Sequence, residues 1–398
     1  MQQARIGRWA VGAMFLVNGF IMGAWAPQIP LLLPRHDITE STLGALILAL
    51  GLGAVGAMIF AGRLINLFGS RRVLRTFAVL LIPVLPAVVF APNVYLLALA
   101  MVAFGAFTGC MDVAMNANAV VVERSMGRAI MSSSHGFWSL GGFIGGIFGG
   151  QLLAAYGSEV QALWAAGCAA LVVTTASLFL MPDAPAPKAH ADEPKPALLP
   201  RDGALWLIGV MALFSMVPEG AILDWAALYL TRELGGDPAI SGYAFGLFSG
   251  AMAVLRFAGD GVRNRFGAVR TLQVSGFIAA IGLLGGAMAP SPWFAILSFG
   301  FAGLGVANMV PVLFSAAGNH PGLSSGAGIA AVTMVGYSGI LVAPASIGYI
   351  AEHIGYRWTY GSLATLAIFV ALMAHRARAA DDLRGRDAAQ AAIIDPPA

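Results

Sequence analysis

The chain has 398 residues, of which 59% are apolar and only 10% charged, with 22 Lys+Arg, 19 Asp+Glu and a mean hydropathy of +0.81. Soluble domains carry about a quarter charged residues, so the charges here are too few to coat a water-facing surface, and the composition argues against a soluble enzyme. The net charge of +3 implies no nucleic-acid partner, and Cys110 and Cys168, both inside apolar runs, give neither a disulfide framework nor a metal-ligand spacing.

Taken in chain order, apolar runs of span length fall near residues 8–33, 42–67, 74–92, 95–120, 130–153, 161–181, 204–230, 239–262, 269–289, 293–317, 325–349 and 358–375. The first follows Arg5 and Arg8, carries Asn18 within it and lacks a small-residue cleavage pattern. It therefore reads as a retained helix and not as a removed leader. Backbone groups in hydrocarbon find no water, and these runs lack the alternation of barrel strands, so each is expected to be helical. The stretch from Pro182 to Asp202 is rich in Pro and Ala with mixed charges and reads as a solvated linker, with six spans on either side. The expected organisation is a six-helix bundle over 1–181, a linker over 182–203, a second bundle over 204–375 and a tail over 376–398.

The two bundles share local sequence. Phe60-Ala61-Gly62 returns as Phe257-Ala258-Gly259, Phe68-Gly69 as Phe266-Gly267, Trp25-Ala26 as Trp225-Ala226, Gly109 with Asp112 as Gly305 with Asn308, and Gly136-Phe137 as Gly336-Tyr337, all at a spacing of about 200 residues. Each match is weak by itself. Their common offset argues for two homologous halves, the parallel-repeat plan of transporters with a site at the shared midplane. Basic residues collect on the side of the two termini and the linker (Arg71, Arg72, Arg75, Arg124, Arg128, Lys188, Lys195, Arg201, Arg263, Arg265 and Arg270 among them). The other side receives only Arg35, Arg232 and Arg357. The positive-inside rule then puts both termini and the linker in the cytoplasm.

Between the second and third spans, Gly62-Arg63-Leu64-Ile65-Asn66-Leu67-Phe68-Gly69-Ser70-Arg71-Arg72 resembles the signature loop of the major facilitator superfamily, G-x-x-x-D-R/K-x-G-R/K-R/K. A degenerate copy, Gly259-Asp260-Gly261-Val262-Arg263-Asn264-Arg265-Phe266-Gly267, follows the eighth span. The resemblance implies an all-α membrane protein of twelve transmembrane helices in two six-helix pseudo-repeats, and gating roles for Gly62, Gly69, Arg71 and Arg72. Asn66 stands where the family has Asp and Leu67 where it has a base, so gating charge is expected mainly in the second half. Met111-Asp112-Val113-Ala114-Met115-Asn116-Ala117-Asn118, Ser134-His135-Gly136-Phe137-Trp138-Ser139, Glu219-Gly220 and Asp224-Trp225 resemble the branch that holds the YbjJ-type inner-membrane proteins and the MosC-type rhizopine transport proteins. That likeness implies a bacterial inner-membrane location and fixes no substrate.

Ionisable groups inside spans are costly and usually face a bundle interior or a water cavity. Glu219 lies near the centre of the seventh span between Pro218 and Gly220. Asp224 and Trp225 follow about 7.5 Å further along the helix rise, roughly 140° around it. A substrate surface and a carboxyl merely hydrogen-bonded between helices both fit. Asp112 and Asn116, four apart, share a face of the fourth span. His135 comes to a similar depth on the fifth, which fits a proton relay or a structural clamp equally. Arg256 and Asp260, also four apart near the cytoplasmic end of the eighth span, read as a local ion pair with a structural or gating role. Asn18, Trp25 and Asn308 complete the candidate substrate set with Glu219, Asp224, Trp225, Asp112 and Asn116, although an aromatic at the level of Trp25 is also an interfacial anchor. Ser134 and His135 point about 100° apart and form no hydrolase triad, and no phosphate loop occurs.

The expectation is a monomeric, non-enzymatic secondary active transporter of a small polar solute, free of cofactor and metal, working by alternating access. Proton coupling through Asp112 or Glu219 with His135 leads, ahead of a gradient-driven facilitator and a non-transport membrane sensor. With Arg confined to span ends and no embedded Lys, a multiply anionic solute is disfavoured.

Overall fold

The computed structural model describes residues 2–126, 130–183, 202–320 and 325–381, so most of the linker and of the tail lies outside the described residues. The first half holds α1 (Gln2–Trp25), a 3-10 turn (Ala26–Gln28), α2 (Ile29–His36), α3 (Glu40–Phe68), α4 (Ser70–Leu81), α5 (Val84–Val89), α6 (Val94–Met126), α7 (Met131–Tyr156) and α8 (Ser158–Phe179). The second holds α9 (Gly203–Arg232), a 3-10 turn (Pro238–Ile240), α10 (Tyr243–Phe266), α11 (Ala268–Ala287), α12 (Pro292–Val306), α13 (Met309–Gly318), α14 (Ser325–Ile354), α15 (Tyr356–Leu372) and a 3-10 segment (Ala374–Ala380). No strand occurs among the described residues. Ten helices or helix runs there are long and apolar enough to cross a membrane, and an eleventh is Tyr356–Leu372 with Ala374–Ala380 if that 53° bend is one span. The 30-residue α14 is not among these.

Three expected spans are broken where proline removes a ladder N–H. Pro27 and Pro30 turn the first span through a 3-10 segment into α2, Pro83 divides the third, and Pro311 accompanies the break between α12 and α13. The seventh span, by contrast, stays one helix through Pro218.

Four corners are glycines with positive φ, Gly69 (82°), Gly157 (86°), Gly267 (81°) and Gly355 (88°), each ending one helix and starting the next. Only glycine takes this backbone conformation without strain, and the four recur in register between the halves. So do two carboxylates. Asp183 accepts from the N–H of Ser70 and Arg71 at 2.9 and 3.2 Å, and Asp381 from Ala268 and Val269 at 2.5 and 3.4 Å, capping α4 and α11.

Burial pushes the Asp183 carboxyl up, but bonds from the Ser70 side chain and the Ser70 and Arg71 backbone outweigh it and hold the pKa below its ordinary value. A depressed folded pKa stabilises above the unfolded value of about 3.9 and is lost as pH falls through the folded one. Asp183→Asn is therefore expected to lower the thermal midpoint at neutral pH by the worth of one cap, about 1 kcal/mol. The difference from wild type should shrink once the pH falls below the unfolded value of about 3.9 and disappear when the folded carboxyl is protonated, as thermal unfolding in detergent at several pH values will read.

The halves meet along two seams, α7 against α10 and α3 against α14, with α2 and the first 3-10 turn touching α9. The end carrying Met181, Asp202 and Asp381 is called the termini end, and the opposite one the far end. In the first seam glycines let backbones touch: a Cβ on Gly146 would lie 2.8 Å from the Gly242 carbonyl oxygen and 3.0 Å from Gly246 Cα. In the second seam the observed contacts are at the far end, where the Ser41 N–H donates to Glu352 Oε2 at 2.8 Å and Gly44 lies on the Pro344–Ala345 backbone. Among the described residues no hydrogen bond or ion pair joins α3 beyond Ser41, or α4, to the second half.

Candidate functional site

Midway along α9, Glu219 pairs with Arg256 of α10, Oε2 to Nη2 at 3.5 Å, with side chains 21% and 13% exposed. The other guanidinium nitrogen, Nη1, donates to Ser139 Oγ on α7 at 2.6 Å, and the Arg256 carbonyl accepts from Ser132 Oγ at 2.7 Å. Nearby, Ser249 Oγ donates to the Ser139 carbonyl at 2.8 Å. Arg256 thus binds its own half through Glu219 and the other half through Ser139. A Cβ added at Gly220 would meet nothing within 4 Å, so open space lies next to Glu219.

Arg256 thus pairs across to α9, while the expected pairing with Asp260 concerns a side chain outside the described residues. One expectation is corrected: arginine is not confined to span ends. α10 continues to Phe266, which puts Arg256 about 15 Å inside it by helix rise. Counting back from Phe266-Gly267, a matched corner in the sequence repeat, would have revealed that depth.

In the first half Asp112 and Asn116 share the expected face of α6, the Asn116 amide donating to the Asp112 carbonyl at 2.9 Å and to Oδ1 at 3.4 Å. Among the described residues the Asp112 carboxylate has no cationic partner. His135 is not joined to it by a hydrogen bond; its ring meets Phe15 edge-on at 5.1 Å between centroids, and Arg256 is the charge beside it. The imidazole is instead packed edge-on against Phe15 of α1.

The remaining candidates are more enclosed. Asn18 is buried in the first half, donating to the Thr108 carbonyl at 3.3 Å and accepting from Trp138 Nε1 at 2.9 Å, which ties α1 to α6 and α7. Asn308 is buried at the break between α12 and α13 against Gly259 of α10, with its amide nitrogen unpartnered. Trp25, Asp224 and Trp225 are all buried, at 0%, 8% and 1% exposure. Asp224 lies beside the Trp25 indole, and Trp225 packs on Tyr356. Of the loop residues, Gly69 is a corner, the Arg71 backbone feeds the Asp183 cap, Arg72 is exposed and Gly62 has open space around it. Ser132, Ser249, Glu352, Asp183 and Asp381 escaped the sequence reading, and Ser139 entered it only as part of a family-like stretch, since isolated serines and span-end carboxylates carry no pattern. No group of three or more potential metal ligands occurs among the described residues.

The sequence matches the family model of the Major Facilitator Superfamily over residues 11–339 and 220–393. An uncharacterized MFS-type transporter of Yersinia pestis is 34% identical over 370 residues, covering 90% of this chain and 93% of the relative. Membrane protein MosC of Rhizobium meliloti is 32% identical over 354 residues, covering 87% and 84%. Among solved structures, a point mutant of the nucleoside transporter NupG superposes with a TM-score of 0.70 at 14% identity over 93% of this chain and 99% of that one. A D-xylose-proton symporter gives 0.69 at 14% identity over 92% and 96%. Two helix-bundle halves in register, together with these matches, establish that the chain belongs to the major facilitator superfamily, a family of membrane transporters and not of enzymes.

Proposed function

We propose that the chain is a secondary active transporter that moves a small polar solute across the bacterial inner membrane by alternating access, coupled to protons. In this reading both termini face the cytoplasm, and the solute site lies between the halves. Glu219 and Arg256 act there with Asp112 and Asn116, and His135 stands at its edge. The single observation that carries the reading is the Glu219–Arg256–Ser139 chain. A half-open ion pair at mid-bundle, bonded to both halves, lets the protonation of one carboxyl alter the contact between halves. With Glu219 ionised, Arg256 is neutralised within its own half. With Glu219 protonated, Arg256 loses its counter-ion and must rely on Ser139, on the solute or on Asp112. Asn18, Trp25 and Asn308 support the site from behind in this scheme.

A thermal-shift screen of the purified protein against sugars, inositol derivatives, amino acids and drugs identifies a bound solute, because a ligand specific for the folded state raises the unfolding temperature. Solute uptake and internal pH are then followed together in proteoliposomes with and without an imposed pH gradient. Wild type is expected to accumulate the solute on the gradient. Glu219→Gln should lose that accumulation by roughly tenfold or more, the effect of about 1.4 kcal/mol between access states, and Asp112→Asn should weaken it. If wild type ignores the gradient, the facilitator reading takes the place of coupling. If both variants behave as wild type, the site assignment falls.

A further inference from the structure

We infer that the outer face shared by α1, α7 and α10 at the termini end holds an anionic phospholipid of the surrounding bilayer, its phosphate on Arg8 and Arg5 and an acyl chain along Trp9, Phe137 and Phe257. This goes beyond the proposed function and needs neither the solute nor the proton assignment. α7 packs against α1 on one side and α10 on the other, and one of its faces stays open along the helix: Phe137, Leu140 and Ile144 are half-buried and Phe148 is exposed. Their spacing of three or four residues puts them on one side of the helix. Ser139, which meets Arg256 inside the bundle, stands roughly 160° around α7 from Phe137 at 100° per residue. The open side is therefore the one turned to lipid.

On that side the Phe137 ring is flanked by two others. Trp9 of α1 meets it edge-on at 5.8 Å between centroids and Phe257 of α10 at 5.5 Å, and these two flanking rings are 65% and 48% exposed. Together they make a shallow apolar trough that crosses from the first half to the second. Its depth suits an acyl chain: by helix rise Trp9 lies about 10 Å inside α1 from Gln2, and Phe257 about 13 Å inside α10 from Phe266. The charge sits nearer the helix ends. Arg8 Nη2 donates at 3.4 Å to Ser133 Oγ, one turn before Phe137, and its guanidinium carbon is 5.9 Å from the centre of the Trp9 ring, within the range of a cation–π attraction. Arg5 precedes Trp9 by one turn on the same exposed face of α1. Neither arginine forms an ion pair among the described residues, and Glu123 is engaged by the N–H groups of Ile130 and Met131 at the start of α7. Two uncompensated cations above an apolar trough complement a phosphodiester that carries its chain below it. A choline headgroup would bring a further cation to the same place.

Native mass spectrometry of the full-length protein, released from detergent in the presence of equimolar phosphatidylglycerol and phosphatidylcholine, tests the site. Wild type is expected to keep phosphatidylglycerol in preference. Arg8→Gln should cut that preference roughly fivefold, as loss of one basic group near the membrane surface implies, and adding Arg5→Gln should cut it further. Phe257→Ala should lower retention of both lipids together and leave their ratio in place, which separates the trough from the headgroup contact. Arg270→Gln, at an exposed position of α11 at the same end, should behave as wild type. Equal retention of the two lipids by wild type, or an undiminished preference in the double arginine variant, overturns the site. A comparable loss in Arg270→Gln also overturns it, since the preference would then belong to diffuse surface charge. Inorganic phosphate should neither displace the lipid nor reproduce the rise in unfolding temperature that phosphatidylglycerol gives; if it does both, the arginines hold a free anion and the lipid site falls. Arg8→Gln alone decides the matter if Phe257→Ala fails to fold. Because no solute is added, the outcome stands apart from that of the transport assay.

Discussion

Replacing Arg256 with methionine is expected to cost about 3 kcal/mol of stability and to abolish transport, because it removes the cation and leaves the Glu219 carboxylate uncompensated at mid-membrane. Methionine keeps an unbranched apolar stem but not the guanidinium, so the loss is chiefly one of charge and hydrogen bonding. The pair is only partly enclosed, at 13% and 21% exposure, which places the cost at the lower end of what breaking a buried pair entails. The double variant Arg256→Met with Glu219→Gln should recover most of the unfolding temperature, since no lone charge is left. It should not recover transport. Thermal unfolding in detergent and uptake into proteoliposomes read the two effects separately. If the single variant is as stable as wild type, the two side chains do not depend on each other; if the double variant transports, the pair is structural.

Gly146→Val should be nearly as damaging by a different route. Its added atoms would meet the Gly242 carbonyl and the Gly246 backbone, at 2.8 and 3.0 Å from the Cβ alone, and backbone cannot turn aside as a side-chain tip can. Forcing α7 and α10 apart costs about 1–3 kcal/mol as overpacking and removes the seam on which the halves would rock. Transport should fall with it. Gly167→Ala on α8 is the control: it is an exposed position with nothing within 4 Å of an added Cβ, and alanine is the better helix former. Its unfolding temperature should be unchanged or raised. Equal behaviour of the two variants would show that the close approach of α7 and α10 contributes nothing.

The spans, their helical character and the duplication were legible in the residues because hydrocarbon leaves a backbone no other choice, and long apolar runs announce it. Pairings across the bundle were less legible, for a geometric reason. Asp112 and Asn116 were found because two residues four apart on one helix share a face whatever surrounds them. The same local rule could not show that Arg256 also meets Glu219, since an arginine side chain is long enough to reach across to α9 as well as along α10. His135 went to Asp112 by depth alone, whereas rotation about α7 turns it onto Phe15.

By itself the sequence determined an all-helical membrane protein of twofold internal repetition, with a handful of polar residues too costly to be idle in a bilayer. It also set the corners, because a glycine at positive φ is a local matter. Only the tertiary structure decided which of those polar residues meet. It brought Arg256 between Glu219 and Ser139, put Asp224 beside Trp25, and closed α10 onto α7 through facing glycines. Helix rise fixes the depth of a side chain, but its azimuth and its partner are set by how whole helices pack.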